Sequence, residues 1–295
     1  MRKLNVQVPP FNTTLIGMLK GISDHFGLAH SDAALYGVSG HAFVIHIHKA
    51  LCPSGPYCWD RTPLEALTKN LGIEIRNLGF FHEGATDADR DRIASVLRAE
   101  IDAGNPCGLV NMEFQLVTGY DETGFLTTQP WPCNDFPPAH LHAKTWEEFG
   151  EVHANFFTFA PCPPAGRRTA FRAALMFAVE LWDSPKTYAG HDFGMGPDAY
   201  QNWLAAIPEH GGEHGNWWNA TVYGECRAQA AAYLREMAEL VPEAGAVAED
   251  YTKLATLFAK AGDREATIAE KLGAVREAFE TEKAAVGKLR ALLEV

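Results

Sequence analysis

His46 and His48 stand two residues apart in HAFVIHIHKAL (41–51), and on a strand that spacing sends both imidazoles to one face, as two ligands of one metal ion require. Zinc is the ion such a pair would take; no cofactor at all is the default reading. His140 and His142 repeat the spacing in a proline-rich loop. With 12 histidines in the chain such spacings also arise by chance, and a half-buried strand histidine with a backbone partner accounts for the first pair equally well. His41 suggests a different chemistry. It follows Ser39 and Gly40, and an imidazole beside a thiol makes a nucleophile pair, for which Cys52 in CPSGP is the candidate sulfur. A single loop cysteine is more often an ordinary thiol. His210, Glu213 and His214 are ligand types as well, but Gly211, Gly212 and Gly215 make their segment a flexible loop.

These groups need a frame, and the apolar pattern supplies one. Leu15, Met18, Leu19, Ile22 and Phe26 fall at helical spacing and Gly27 ends the run, while Asn12, Thr13 and Thr14 are cap-type residues at its start. Free N–H groups and the dipole at such a start favour an anion. Residues 41–51 read as a strand with Phe43, Ile45 and Ile47 on one face. A short helix over 63–71, a strand IEIRNLGFF, and a helix that begins with acidic residues at 87 and stops at Gly104 follow. CGLVNM, FQLVTGYD, FLTTQPW and FFTFA then read as strands. This predicts an α+β domain over residues 1–161 with an antiparallel sheet. PCPPAGRRTA reads as a linker, and residues 162–295 as an all-α domain of amphipathic helices joined by short turns.

Composition narrows the partners. A net charge of −12 argues against nonspecific contact with nucleic acid or an anionic membrane, both of which need a basic face. No apolar run reaches the roughly 18 residues of a spanning helix, and the first residues, MRKLNVQVPPF, lack the apolar core of a secretion signal. The expected location is cytoplasmic. Six cysteines without a Cys-x-x-Cys pair read as reduced thiols, although Cys52 and Cys58 are near enough in sequence to pair.

The run from Thr14 to Gly27 resembles the nucleophile helix of papain-like cysteine enzymes, in particular the bacteriocin-leader peptidases and the N-terminal domain of the butirosin biosynthesis protein H family. Gly17, Leu19 and Phe26-Gly27 match that pattern, and Thr14 stands where the family has its cysteine. FQLVTGYD resembles the family's central strand, on which a histidine lies six residues before the glycine. With Gly119 as that glycine, the position is Glu113. TTQPW places Gln129 before Pro130, where the family has Asp or Asn. GPDAYQNW is similar to the C-terminal part of bacterial proteins that carry such a domain first.

The resemblance implies a papain-like N-terminal domain whose three catalytic positions are changed. A threonine hydroxyl must lose its proton to a base during attack, and Glu113 serves only if burial raises its pKa. Three readings follow. The first is an atypical, thiol-inactive member that binds a small amide- or acyl-bearing molecule or a peptide in a cleft between the domains. Thr14, Glu113 and Gln129 would line it, with Ser39, Trp59, Trp131, Tyr200 and Trp203 as ligand-binding neighbours. The second is an amide hydrolase or acyltransferase using a rearranged dyad or a metal. The third is a helical scaffold that dimerises through its long C-terminal helices.

Overall fold

The computed structural model describes residues 1–131, 137–146 and 153–294. In chain order they form β1 (Arg2–Lys3), α1 (Thr14–His25), α2 (Asp32–Val38), β2 (His46–His48), α3 (Thr62–Leu67), β3 (Ile73–His82), α4 (Asp87–Ala103), β4 (Cys107–Asn111) and β5 (Glu113–Tyr120). There follow β6 (Gly124–Thr127), β7 (His140–His142), β8 (His153–Pro161), α5 (Arg167–Asp183), β9 (Phe193–Met195), α6 (Pro197–His210), α7 (His214–Met237), α8 (Ala244–Gly262) and α9 (Ile268–Leu292). The fold is α+β with antiparallel sheet. No helix among the described residues is long and apolar enough to cross a membrane.

The elements divide into two compact units. Unit one joins Met1–His30 to Gly72–Pro164. Its antiparallel sheet runs β3-β8-β4-β5-β6-β7, with β1 also paired to β5. Strand alternation sends Cys107, Leu109 and Val117 to one face, where they pack with Ile93, Leu97 and Ile101 of α4. Full burial of each of these α4 side chains contributes about 2 kcal/mol. A capping box between Thr86 and Asp89 starts α4, and Gly104, at φ 94°, ends it. Helix α1 packs on the other face. Met18 Sδ comes within 3.0 Å of where a Cβ on Gly108 would stand, and Leu116 within 2.8 Å of one on Gly21, so the two glycines permit this approach.

Unit two joins Ser31–Leu71 to the chain from Ala165 onward. The expected division at 161/162 therefore needs correction, since residues 31–71 pack with the helices. The reason lies in one stripe of α7, where Asn219, Tyr223 and Arg227 stand four residues apart. Asn219 Nδ2 donates to the Leu51 and Cys52 carbonyls, the Tyr223 hydroxyl to that of His46, and Arg227 Nη1 to those of Ala42 and Val44. Buried backbone carbonyls need partners, and here side chains take the place of a ladder. Residues 41–51 are accordingly not one long strand. His41–Phe43 is a 3₁₀ turn, and only His46–His48 pairs, antiparallel with β9.

Residues 32–38, to which the sequence pattern assigned no element, form α2, capped by Ser31 Oγ accepting the Ala34 N–H at 3.0 Å. One further reading changes. His140 and His142 lie on β7 rather than in a loop. Val247, Tyr251, Leu254 and Phe258 of α8 and Val275, Ala278, Ala285 and Leu289 of α9 are all buried within this unit.

Candidate functional site

Thr14 and Glu113 lie 99 residues apart in sequence, and their side chains meet. Thr14 Oγ1 donates to Glu113 Oε2 at 2.7 Å and accepts the backbone N–H of Phe114 at 3.1 Å. The hydroxyl hydrogen is thus committed to the carboxylate. Thr14 is the first residue of α1, and its oxygen serves the sheet rather than the helix end, while the N-cap Thr13 makes no side-chain cap bond. Glu113 opens β5 immediately after a one-residue turn at Met112, which is held at φ 62°. A non-glycine residue in that conformation costs about 1 kcal/mol, and the turn sets Glu113 opposite Asn111. Both members of the pair are buried, at 1% and 5% exposure, so the contact is shielded from water.

Other polar groups of unit one divide into used and unused. Gln129 Nε2 donates to the Pro137 carbonyl at 2.7 Å, which makes it a staple for its own loop. Trp131 Nε1 donates to the Phe11 carbonyl at 3.2 Å. Gln115 Nε2 reaches the carbonyls of Thr128 and Pro138. Gln115 Oε1 and Asn111 Nδ2, in contrast, are buried without a hydrogen-bond partner. Asn111, Glu113 and Gln115 share one face of the β4-β5 hairpin, because Asn111 pairs with Glu113 and Gln115 follows at strand spacing. One open donor and one open acceptor therefore flank Glu113 along that face.

Within unit two the expected dyad does not form. His41 Nδ1 lies 3.5 Å from the sulfur of Cys226, not Cys52, and Cys52 Sγ sits 2.9 Å from Ser54 Oγ. Burial lowers the His41 pKa to about 3, with Arg227 and Arg61 adding to the effect against the pull of its own backbone bond. A neutral, enclosed imidazole of that kind does not generate a thiolate at neutral pH. Ser39 is buried and donates to the Tyr36 carbonyl, and Trp59 is buried with its ring edge-on to His41 at 6.0 Å. Cys52, Cys58 and Cys107 are free thiols, and Cys133 lies outside the described residues.

His46 and His48 are placed by backbone and stacking. The Gly190 N–H donates to His46 Nε2 at 3.1 Å, which leaves the proton on Nδ1 to donate to the Gly55 carbonyl at 2.8 Å. Burial lowers the His46 pKa to about 4. His46 thus acts as a strut between two loops, with no lone pair left for an ion in this arrangement. His48 Nδ1 accepts the Ala50 N–H, and Phe193 stacks on His46 at 4.4 Å and meets His48 edge-on. Among the described residues no group of three or more His, Cys, Asp or Glu is arranged to hold a metal.

Tyr200 and Trp203 are fully buried core residues of unit two rather than the lining of a mouth. Trp203 Nε1 donates to Asn216 Oδ1 at 2.8 Å, and the Tyr200 hydroxyl donates to Glu282. Glu282 in turn forms a 2.7 Å ion pair with Arg227, both side chains being enclosed. Burial alone would lower the guanidinium pKa, but Glu282 and the surrounding tyrosines hold it above its ordinary value. The pair is a structural centre.

No protein-family model and no curated protein matches the chain. The site rests on its own geometry.

Phe114 as the donor to Thr14, Asn111 and Gln115 as orphans, and Cys226 as the sulfur beside His41 are not legible in the residue pattern. The first is a backbone group, which carries no residue signal. Asn111 and Gln115 stand either side of Glu113 at strand spacing, and that alternation was the available clue.

Proposed function

We propose that unit one is a papain-like frame in which Thr14 and Glu113 replace the thiol and imidazole, and that it binds the amide or acyl group of a small molecule or peptide without thiol catalysis. The observation that carries this reading is the 2.7 Å contact between Thr14 and Glu113, since it joins the two positions that the resemblance maps to nucleophile and base. The orphan atoms support the ligand class. An amide carbonyl accepts from Asn111 Nδ2 and an amide N–H donates to Gln115 Oε1, which satisfies two groups that are costly to leave unpaired, at about 1–3 kcal/mol each.

Native mass spectrometry of the gently purified protein, beside its denatured mass, tests the reading. We expect a small organic excess, or uptake of added N-acetylglycinamide, that is lost when Asn111→Leu and Gln115→Leu are combined. A bare mass in the wild type with no uptake counts against it.

The same contact favours a second reading, because a threonine hydroxyl donating to a carboxylate is also the arrangement of a nucleophile with its base. In that case the added amide is hydrolysed rather than retained, and free glycinamide appears in the same spectra.

A further inference from the structure

Unit two carries a concavity that the Thr14–Glu113 reading does not use. It is a groove of about 500 Å³ formed by the end of α5, the start of α6 and the last turns of α9. That size suits a small molecule. Its wall is an aromatic platform, Trp182 and Phe279, with ring centroids 6.1 Å apart and planes 15° from parallel. Above it on α9 stands Lys283, an exposed cation with no ion-pair or hydrogen-bond partner among the described residues. Arg290, one heptad further, also lines the groove but is held by Asp183. The guanidinium is therefore already balanced, and Lys283 supplies the unbalanced charge. Glu282, adjacent in sequence, is turned inward to Arg227 and Tyr200 and does not neutralise it.

Gly287 forms the floor. A Cβ there would meet nothing within 4 Å, so the space above it is open, although glycine in the middle of an exposed helix surface costs about 1 kcal/mol relative to alanine. Retaining it keeps the groove deep beside the ring pair and within reach of the lysine.

We propose that this groove binds a small anion with a flat apolar body, the ring lying against Trp182 and Phe279 over Gly287 and the carboxylate or phosphate facing Lys283. Partial enclosure by apolar walls strengthens a charge contact that would be weak on an open surface. The flat body supplies most of the contact area.

Calorimetric titration with 2-naphthoate, 2-naphthyl phosphate and the uncharged 2-naphthylmethanol tests the proposal. Both anions are expected to bind, and the alcohol about fivefold more weakly or less, a difference typical of one partly enclosed ion pair. The tighter anion tells a carboxylate ligand from a phosphate one. Lys283→Gln is expected to erase the difference between anion and alcohol. Gly287→Leu fills the floor and is expected to weaken all three by about tenfold or more, with an unchanged or higher melting temperature because leucine is the better helix former. Equal binding of anion and alcohol to the wild type, no binding of any probe, or undiminished binding to Gly287→Leu each overturns it. Lys283→Gln, a surface change, keeps the test decisive even if Gly287→Leu fails to fold.

Discussion

Moving from pH 7 to pH 5 is expected to destabilise unit two by about 4 kcal/mol, through His41 and His46 together. Both imidazoles are held neutral by burial, with pKa values lowered from the ordinary 6.5 to about 3 and about 4. Between pH 6.5 and 4 the unfolded chain therefore binds a proton at each site that the folded chain refuses. Stability falls as pH drops wherever the unfolded state binds more protons, and at pH 5 each group contributes about 2 kcal/mol of that loss. Carboxylates held below their usual range, such as Asp89, Asp121 and Glu277, lose their contribution only under more acid conditions, so they do not confuse this window. Urea unfolding at pH 7 and pH 5 measures the difference. His46→Gln should remove about half of the pH dependence, and a stability that stays flat from pH 7 to 5 would contradict buried, neutral imidazoles.

Glu282→Gln is expected to cost about 3–5 kcal/mol, the range for breaking a buried ion pair from one side. The substitution leaves Arg227 charged and fully enclosed. It also weakens the acceptor of the Tyr200 hydroxyl. Arg227→Met is expected to cost at least as much, since it leaves the enclosed Glu282 without its partner and the carbonyls of Ala42 and Val44 without their donor, so that the turn at His41–Phe43 loses its support. The double variant should be more stable than the sum of the two losses predicts, by about 1–3 kcal/mol, because the second change no longer strands a charge. Equilibrium unfolding of the four proteins in the cycle measures this. Strictly additive losses would show that the two residues do not act as a unit.

The local chemistry of single elements was readable. The apolar spacing of Leu15, Met18, Leu19 and Ile22, the glycine stops at Gly27 and Gly104, and the alternation in FQLVTGYD lead to α1, α4 and β5 without knowledge of their neighbours. The segment 41–51 misled because its β-branched and histidine pattern is that of a strand, while the partners of its carbonyls lie far away in sequence on α7. No rule of spacing within the segment reveals them. The signal was on the other side: Arg227 interrupts the buried row of Tyr223, Cys226 and Ala230, and Glu282 sits between Ala278 and Ala285 on the apolar face of α9. Two opposite charges on two buried faces invite pairing.

The same distinction applies to the sites. Thr14 and Glu113 were reached through resemblance, and the contact between them joins positions whose sequence separation hides it. The aromatic residues expected at a ligand mouth, Tyr200 and Trp203, were misread because burial cannot be told from pocket lining by residue type alone. Both environments select large rings with a polar tip.

The most direct measurement of the central claim is the pH profile of iodoacetamide alkylation in two variants, Thr14→Cys alone and Thr14→Cys combined with Glu113→His, read by mass spectrometry against the wild-type background of free thiols. Beside a carboxylate the new thiol should be unreactive at pH 6, because a like charge opposes the thiolate. Beside an imidazole it should react at pH 6 about tenfold faster or more, with a plateau that extends well below the ordinary thiol pKa. That contrast would place a nucleophile and its base at positions 14 and 113. Two folded variants whose new thiols react alike, or not at all, would mean that the pair is only a clasp between α1 and β5.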